Sequence, residues 1–269
     1  MTASQLRESR QGELWRHLAQ VNDPELDEPV TEMGFIERAE IAYNGDVEVD
    51  FRLPTYWCSP NFAFLMLEDI RVALEALSWS PHFRIALHDH MFADEVNQGV
   101  ASGKSFAEIF GSLAENTDLE PLREKFRRKA FQRRQEAVIL FLRGTDATDS
   151  AIVNATLANL DARALNAGDL AGPILRYREA LLARWPALSS HDLAITNWDG
   201  AVIEEQDLPS HLANLRSVRI NMEFNGAICR GLKTTRYKEM EVIDGEPTLV
   251  DFIVGRVPAR CGQPHTTSN

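Results

Sequence analysis

Residues 33–54, MGFIERAEIAYNGDVEVDFRLP, constrain the fold more tightly than any other stretch of the chain. Ile41 and Tyr43 precede an Asn44-Gly45 pair, and Val47, Val49, Phe51 and Leu53 follow it, every second residue being apolar. Strand side chains point alternately to the two faces of a sheet, so this spacing gives each of two strands one apolar face. Asn-Gly supplies the turn conformation that joins such strands antiparallel. A hairpin with one greasy face needs a cover, and the flanking segments offer it. Leu6, Leu14, Leu18 and Val21 recur at helical spacing until the prolines and acids of NDPELDEP interrupt them. Beyond the hairpin, Ser59 and Pro60 suit the cap and first turn of a second helix carrying Phe64, Leu67, Ile70, Leu74 and Leu77 on one side. HFRIALHDH then reads as a third strand with Phe83, Ile85 and Leu87 on one face.

The expected fold class is therefore α+β, with a small α-β-β-α-β module over residues 1–92. Residues 93–190 read as a helical segment, broken by Gly, Thr and Asp punctuation. Residues 191–269 are expected to be β-rich, because DLAITNWDGAVI, LRSVRINMEFNGAICRGL and EMEVIDGEPTLVDFIVGRV combine β-branched residues with Asp-Gly or Asn-Gly pairs. Residues 93–269 are also compatible with one domain.

Charge narrows the functional classes. Lys and Arg number 28 against 40 Asp and Glu, a net charge of −12, which disfavours nucleic acid and anionic membrane surfaces as partners. The first twenty residues lack an apolar core of the signal-peptide kind, and no apolar run is long enough to cross a bilayer, so a cytoplasmic location is expected. The three cysteines, Cys58, Cys229 and Cys261, are odd in number and far apart, which fits reduced thiols and not a disulfide framework or zinc ribbon.

DPEL (23–26), MGFIERAEI (33–41), GDVEVDFRLPTYWCSP (45–60) and LEDIRVALEAL (67–77) stand in the order and spacing of the MIP18-like family, the domain of unknown function 59, which the N-terminal third resembles. The resemblance implies a role in iron-sulfur cluster assembly or as an accessory protein to multicomponent oxygenases. The family's acidic motif and its cysteine at a strand-to-helix junction fall here on Asp23, Pro24, Glu25 and Cys58. The PTY before the cysteine is similar to the phenylacetyl-CoA oxygenase accessory branch, although that branch carries Gly-Cys-Pro where this chain has Trp57-Cys58-Ser59-Pro60. Iron or a transiently held iron-sulfur cluster is the implied cofactor, and a client apo-metalloenzyme, such as a di-iron oxygenase, the implied partner. A homodimer is compatible with this reading.

The residues themselves give these expectations a chemical footing. A thiol at a helix start feels the partial positive charge of unpaired N–H groups, which favours the metal-binding thiolate; a free cysteine serves equally as a small core residue. Asp23 and Glu25 bracket a loop proline, where a carboxylate caps the turn or supplies an oxygen ligand. Strand alternation would set His88 and His90 on one face about 7 Å apart, within reach of a shared metal with Cys58. Cys229 and Cys261 lie beside glycines and are additional thiol candidates.

Other readings fail on spacing. GVASGKS (99–105) has three residues, not four, between its first glycine and Gly-Lys, and no buried strand precedes it, so it is not a phosphate loop. REKFRRKAFQRR (123–134) reads as a solvated amphipathic helix, with docking to an acidic partner as its alternative. Zinc-protease, di-iron bundle, serine-hydrolase and dinucleotide fingerprints are absent from the text. The rival to an assembly factor is a metal-free adaptor with Cys58 in its core. An enzyme is not expected; one in the C-terminal half would need a polar pocket around Arg230, Tyr237 and Glu239.

Overall fold

The computed structural model describes residues 2–111 and 118–236. Helix α1 (Ala3–Leu18) opens with a capping box in which Thr2 and Gln5 exchange hydrogen bonds, and it buries Leu14 and Leu18. A two-residue ladder, β1 (Asn22–Asp23) against β2 (Glu28–Pro29), closes the DPEL loop. Strands β3 (Ile36–Ile41) and β4 (Val47–Arg52) form the expected hairpin, with Gly45 at φ 93° in its turn. Helix α2 (Pro60–Glu75) crosses over, and β5 (Phe83–His88) returns parallel to β4, giving the order β3-β4-β5.

The alternation holds in β4, where Val47, Val49 and Phe51 are buried. It fails at Tyr43: β3 ends at Ile41, and the Tyr43 ring stands in the turn, fully exposed under the Arg7 guanidinium. The apolar face of the sheet packs on α1 and α2, whose Phe64, Met66, Leu67, Ile70 and Leu74 share one core with it. That core continues into α3 (Ala93–Ala101) and α4 (Phe106–Phe110), through Val96 and the edge-on rings of Phe64 and Phe106.

A second core is built by α5 (Glu120–Gly144), α6 (Asp149–Val153), α7 (Leu157–Ala167), α8 (Gly172–Arg184) and the first half of α9 (Leu208–Arg236). Phe131 lies at its centre, against Tyr177, Trp185 and Trp198. The expected Asp199-Gly200 turn is present, with Asn197 Oδ1 accepting from the Asp199 and Ala201 N–H groups at 2.9 and 2.8 Å. Among the described residues no helix is long and apolar enough to cross a membrane.

The β-rich expectation for 191–269 is corrected over LRSVRINMEFNGAICRGL, which lies within the single 29-residue helix α9. Its β-branched residues and Asn225-Gly226 pair suggest strands, but Leu208, Leu215, Met222 and Gly226 recur at helical period and form the buried stripe. Gly226 sits mid-helix because the Arg230 guanidinium folds back over it, 3.3 Å from where a Cβ would stand. EMEVIDGEPTLVDFIVGRV lies outside the described residues.

The cations of α5 meet an acidic partner within their own chain. Arg123 bridges Glu68 (2.6 Å) and Asp69 (2.9 Å) of α2. Arg133 Nη1 donates to the Leu26 carbonyl at 2.5 Å, and Arg134 grips both carboxylate oxygens of Asp27 at 2.7 and 2.9 Å. Arg176 of α8 donates to the Asp27 carbonyl at 3.2 Å. The helical half thereby holds the DPEL loop from outside.

Candidate functional site

Cys58 lies half-buried between β4 and α2, immediately before the helix cap Ser59. Its sulfur is 3.1 Å from Thr55 Oγ1, and its N–H donates to the Thr55 carbonyl at 3.4 Å. The other side of the turn is held by His90, which is 4% exposed. His90 Nε2 donates to the Cys58 carbonyl at 2.7 Å, while Nδ1 accepts from the Phe92 N–H at 3.2 Å. These two roles place the single ring proton on Nε2. Burial, opposed by the Cys58 bond and reinforced by the charge of Arg236, lowers the His90 pKa and keeps the ring neutral.

His88 points elsewhere, its Nε2 lying 3.0 Å from Asp50 Oδ1. The strand ends there, and Asp89 at φ 49° breaks the alternation that would have aligned the two histidines. The structure therefore makes His90 a support of the Cys58 backbone and leaves His88 on the sheet.

Asp23 is 7% exposed, and its Oδ1 accepts from the N–H groups of Glu25 (2.8 Å) and Leu26 (3.0 Å). Burial pushes its carboxyl up to about 6 despite those two bonds, and the charges of Glu25 and Glu28 push the same way. Glu25 receives the Asn225 side-chain amide at 3.4 Å.

That contact belongs to a line of bonds laid down by the C-terminal half of α9. Arg230 donates to Glu28 (2.5 Å) and to Met33 Sδ (3.4 Å), Lys233 to the Gly34 carbonyl, and Arg236 to the Asp89 carbonyl (2.9 Å), with its guanidinium 6.0 Å from the Tyr56 ring centre. Cys229 lies between Asn225 and Lys233 on this face and, like Cys58, packs half-buried against the N-terminal core. Burial first, then the negative charges of Asp23, Cys58 and Glu25, push the Cys229 thiol up to about 11, with Arg230 partly offsetting them.

Of the expected site residues, Cys229 thus feels the charges of Asp23, Cys58 and Glu25. Cys261, like Tyr237 and Glu239, lies outside the described residues, and Arg230 is committed to Glu28. Sequence reasoning missed Thr55, Arg236 and the supporting role of His90. The available signal for α9 was the stripe Met222, Gly226, Cys229, Lys233 and Arg236 at helical spacing.

Residues 12–81 match the iron-sulfur cluster assembly protein family. The assembly-family segment contains Asp23, Glu25, Thr55 and Cys58, and ends before His90 and well before Cys229. No curated protein and no solved structure matches the chain.

Sulfur and carboxylate oxygen are donors that iron accepts, so the residues around Cys58 suit the family's cargo in kind. Among the described residues no group of three His, Cys, Asp or Glu side chains stands at metal-holding spacing. A cleft of about 900 Å³ between α1, α2, α5 and α8 has Asp23, Pro24, Arg123, Arg134 and Trp198 in its wall, but not Cys58.

Proposed function

We propose that the protein is a cytoplasmic accessory factor in metallocentre assembly, which holds iron or an iron-sulfur cluster transiently at Cys58 and presents it to a client metalloenzyme such as a multicomponent oxygenase. The observation that carries this reading is the placement of Cys58: it is partly exposed at a strand-to-helix junction within the segment that matches the assembly family. Asp23 and Glu25 assist by their charge. Client recognition falls to the remainder of the chain, where α9 exposes Ile220, Phe224, Ile228 and Leu232 at four-residue spacing.

The test is replacement of Cys58 by Ala. Anaerobically purified protein should lose its iron, and a co-expressed client should mature poorly, while the circular dichroism spectrum stays unchanged. Normal client maturation with the variant would refute the thiol's role. A metal-free adaptor is the second reading, favoured by Trp57, which is 73% exposed beside the cysteine and is the kind of side chain that anchors protein interfaces. A metal-free protein that still co-purifies with the client, and loses it on Trp57→Ala, would support that reading.

A further inference from the structure

We propose that the cleft of about 900 Å³ between α1, α2, α5 and α8 binds a small organic cation, a protonated amine with an apolar body, whose charge is met by Asp23. The inference is separate from the reading of Cys58, which is not in the wall of the cleft.

Size and lining set the body of the ligand. The volume is that of a small-molecule site. Val72, Ala76, Phe126, Ala130 and Ala180 supply the apolar part of the wall, and Val72 is left 53% exposed on α2.

The pairing of the charges sets the sign of the ligand. Every arginine of the wall is engaged by a carboxylate: Arg123 by Asp69 at 2.9 Å, Arg127 by Glu120 at 2.5 Å, Arg134 by Asp27 at 2.7 Å and Arg184 by Glu124 at 3.6 Å. Those pairs take up Asp27, Asp69 and Glu124, the other acids of the wall, and leave Asp23 over. Asp23 is 7% exposed, and its Oδ1 accepts the Glu25 and Leu26 N–H groups. No donor among the described residues reaches its Oδ2, and that oxygen is not sealed from solvent. His17 adds a second free acceptor to the wall. The Ala73 carbonyl, at 3.1 Å, takes the Nδ1 proton, which leaves the Nε2 lone pair of the neutral ring without a partner among the described residues. Engaged cations and free acceptors suit a ligand that brings N–H groups and a positive charge. A buried carboxylate ionised without a counter-ion is costly, and an ammonium seated against it removes that cost. One uncompensated carboxylate matches one positive charge, and the described residues hold no group of three His, Cys, Asp or Glu side chains at metal-holding spacing.

The experiment is isothermal titration calorimetry of the full chain at pH 8, where the Asp23 carboxyl, raised to about 6 chiefly by burial, is ionised. The probe is 2-phenylethylammonium, with 2-phenylethanol as its neutral counterpart and ethylammonium as the cation without the apolar body. The probe should bind with a Kd of about 1 mM or tighter, and each counterpart at least about tenfold more weakly. Asp23→Asn keeps an acceptor for the Glu25 and Leu26 N–H groups while removing the charge. It should weaken the probe by about tenfold or more and leave 2-phenylethanol unchanged. Ala183→Trp, at an exposed position of the wall on α8, should abolish binding by filling the cleft. Urea denaturation at pH 8 checks that both variants fold. No binding of the probe at about 10 mM, equal binding of either counterpart, or undiminished binding in Asp23→Asn would overturn the proposal. Undiminished binding in Ala183→Trp would place the amine elsewhere on the protein and overturn it as well.

Discussion

Replacing Asp23 with Asn should stabilise the folded protein at neutral pH and not at acid pH. The carboxyl is raised from 3.8 to about 6, chiefly by burial, and at about 1.4 kcal/mol per unit this corresponds to about 3 kcal/mol. The sign follows from linkage. A group whose folded pKa lies above its unfolded value takes up protons on folding, so its contribution is fully present below pH 3.8 and is lost as the pH rises through about 6. Above that pH the native state carries an ionised, buried carboxylate with no counter-ion. Asn cannot ionise, and its side-chain oxygen can still accept from the Glu25 and Leu26 N–H groups, so the turn is kept. Urea denaturation of both proteins from pH 4 to 8 should show the variant gaining stability relative to the wild type by about 2.4 kcal/mol across that range, most of the full effect. Taking the difference between the two cancels His90, whose lowered pKa acts in the opposite direction. A difference that is flat with pH would refute the claim that Asp23 is an uncompensated buried acid.

His90→Ala removes the donor to the Cys58 carbonyl and the acceptor for the Phe92 N–H from a buried position; it should cost about 2–4 kcal/mol by urea denaturation and speed alkylation of Cys58 by iodoacetamide. His90→Gln, which can still donate to that carbonyl, should recover part of both effects. Arg134→Met leaves the Asp27 carboxylate with the Asn22 side-chain amide at 3.2 Å and Arg176 at 3.8 Å, and should destabilise by about 3 kcal/mol. Adding Asp27→Asn to that variant should restore much of the loss, and a loss below about 1 kcal/mol would mean that the pair is solvated.

The parts of the fold legible in the sequence are those set by local rules. The hairpin announced itself through period-2 alternation and Asn44-Gly45, and α2 through Ser59-Pro60 and its apolar face. Tyr43 was misplaced because alternation does not say where pairing stops, and Asp46 closes the turn by accepting the Ala42 N–H at 2.8 Å. The C-terminal segment was misread because β-branched residues and an Asn-Gly pair weigh toward strands, whereas burial of the Leu208, Leu215, Met222 and Gly226 stripe decides for helix. Within the site, Cys58 and the DPEL loop stood out by motif. Their neighbour Cys229 did not, since about 170 residues separate it from Cys58 and only tertiary packing joins them. The α5 arginines were expected to be solvated for the same reason: the acids of Arg123 lie about 55 residues earlier, and those of Arg133 and Arg134 about 105.

Those long-range bonds bear on how the site is held. The loop from Asn22 to Pro29 is closed by a single two-residue ladder, too short to fix its own conformation. On one side Arg133, Arg134 and Arg176 bind the backbone or carboxylates of Leu26, Asp27 and Glu28; on the other, Asn225 and Arg230 bind Glu25 and Glu28. Glu28 is gripped from both sides, by Arg133 at 3.2 Å and by Arg230 at 2.5 Å. The clamp satisfies every acid of the loop except Asp23 with a charged or amide donor. The same helices that order the loop therefore leave Asp23 as its one acid held by backbone N–H groups alone, and burial with no cation to oppose it raises that carboxyl to about 6.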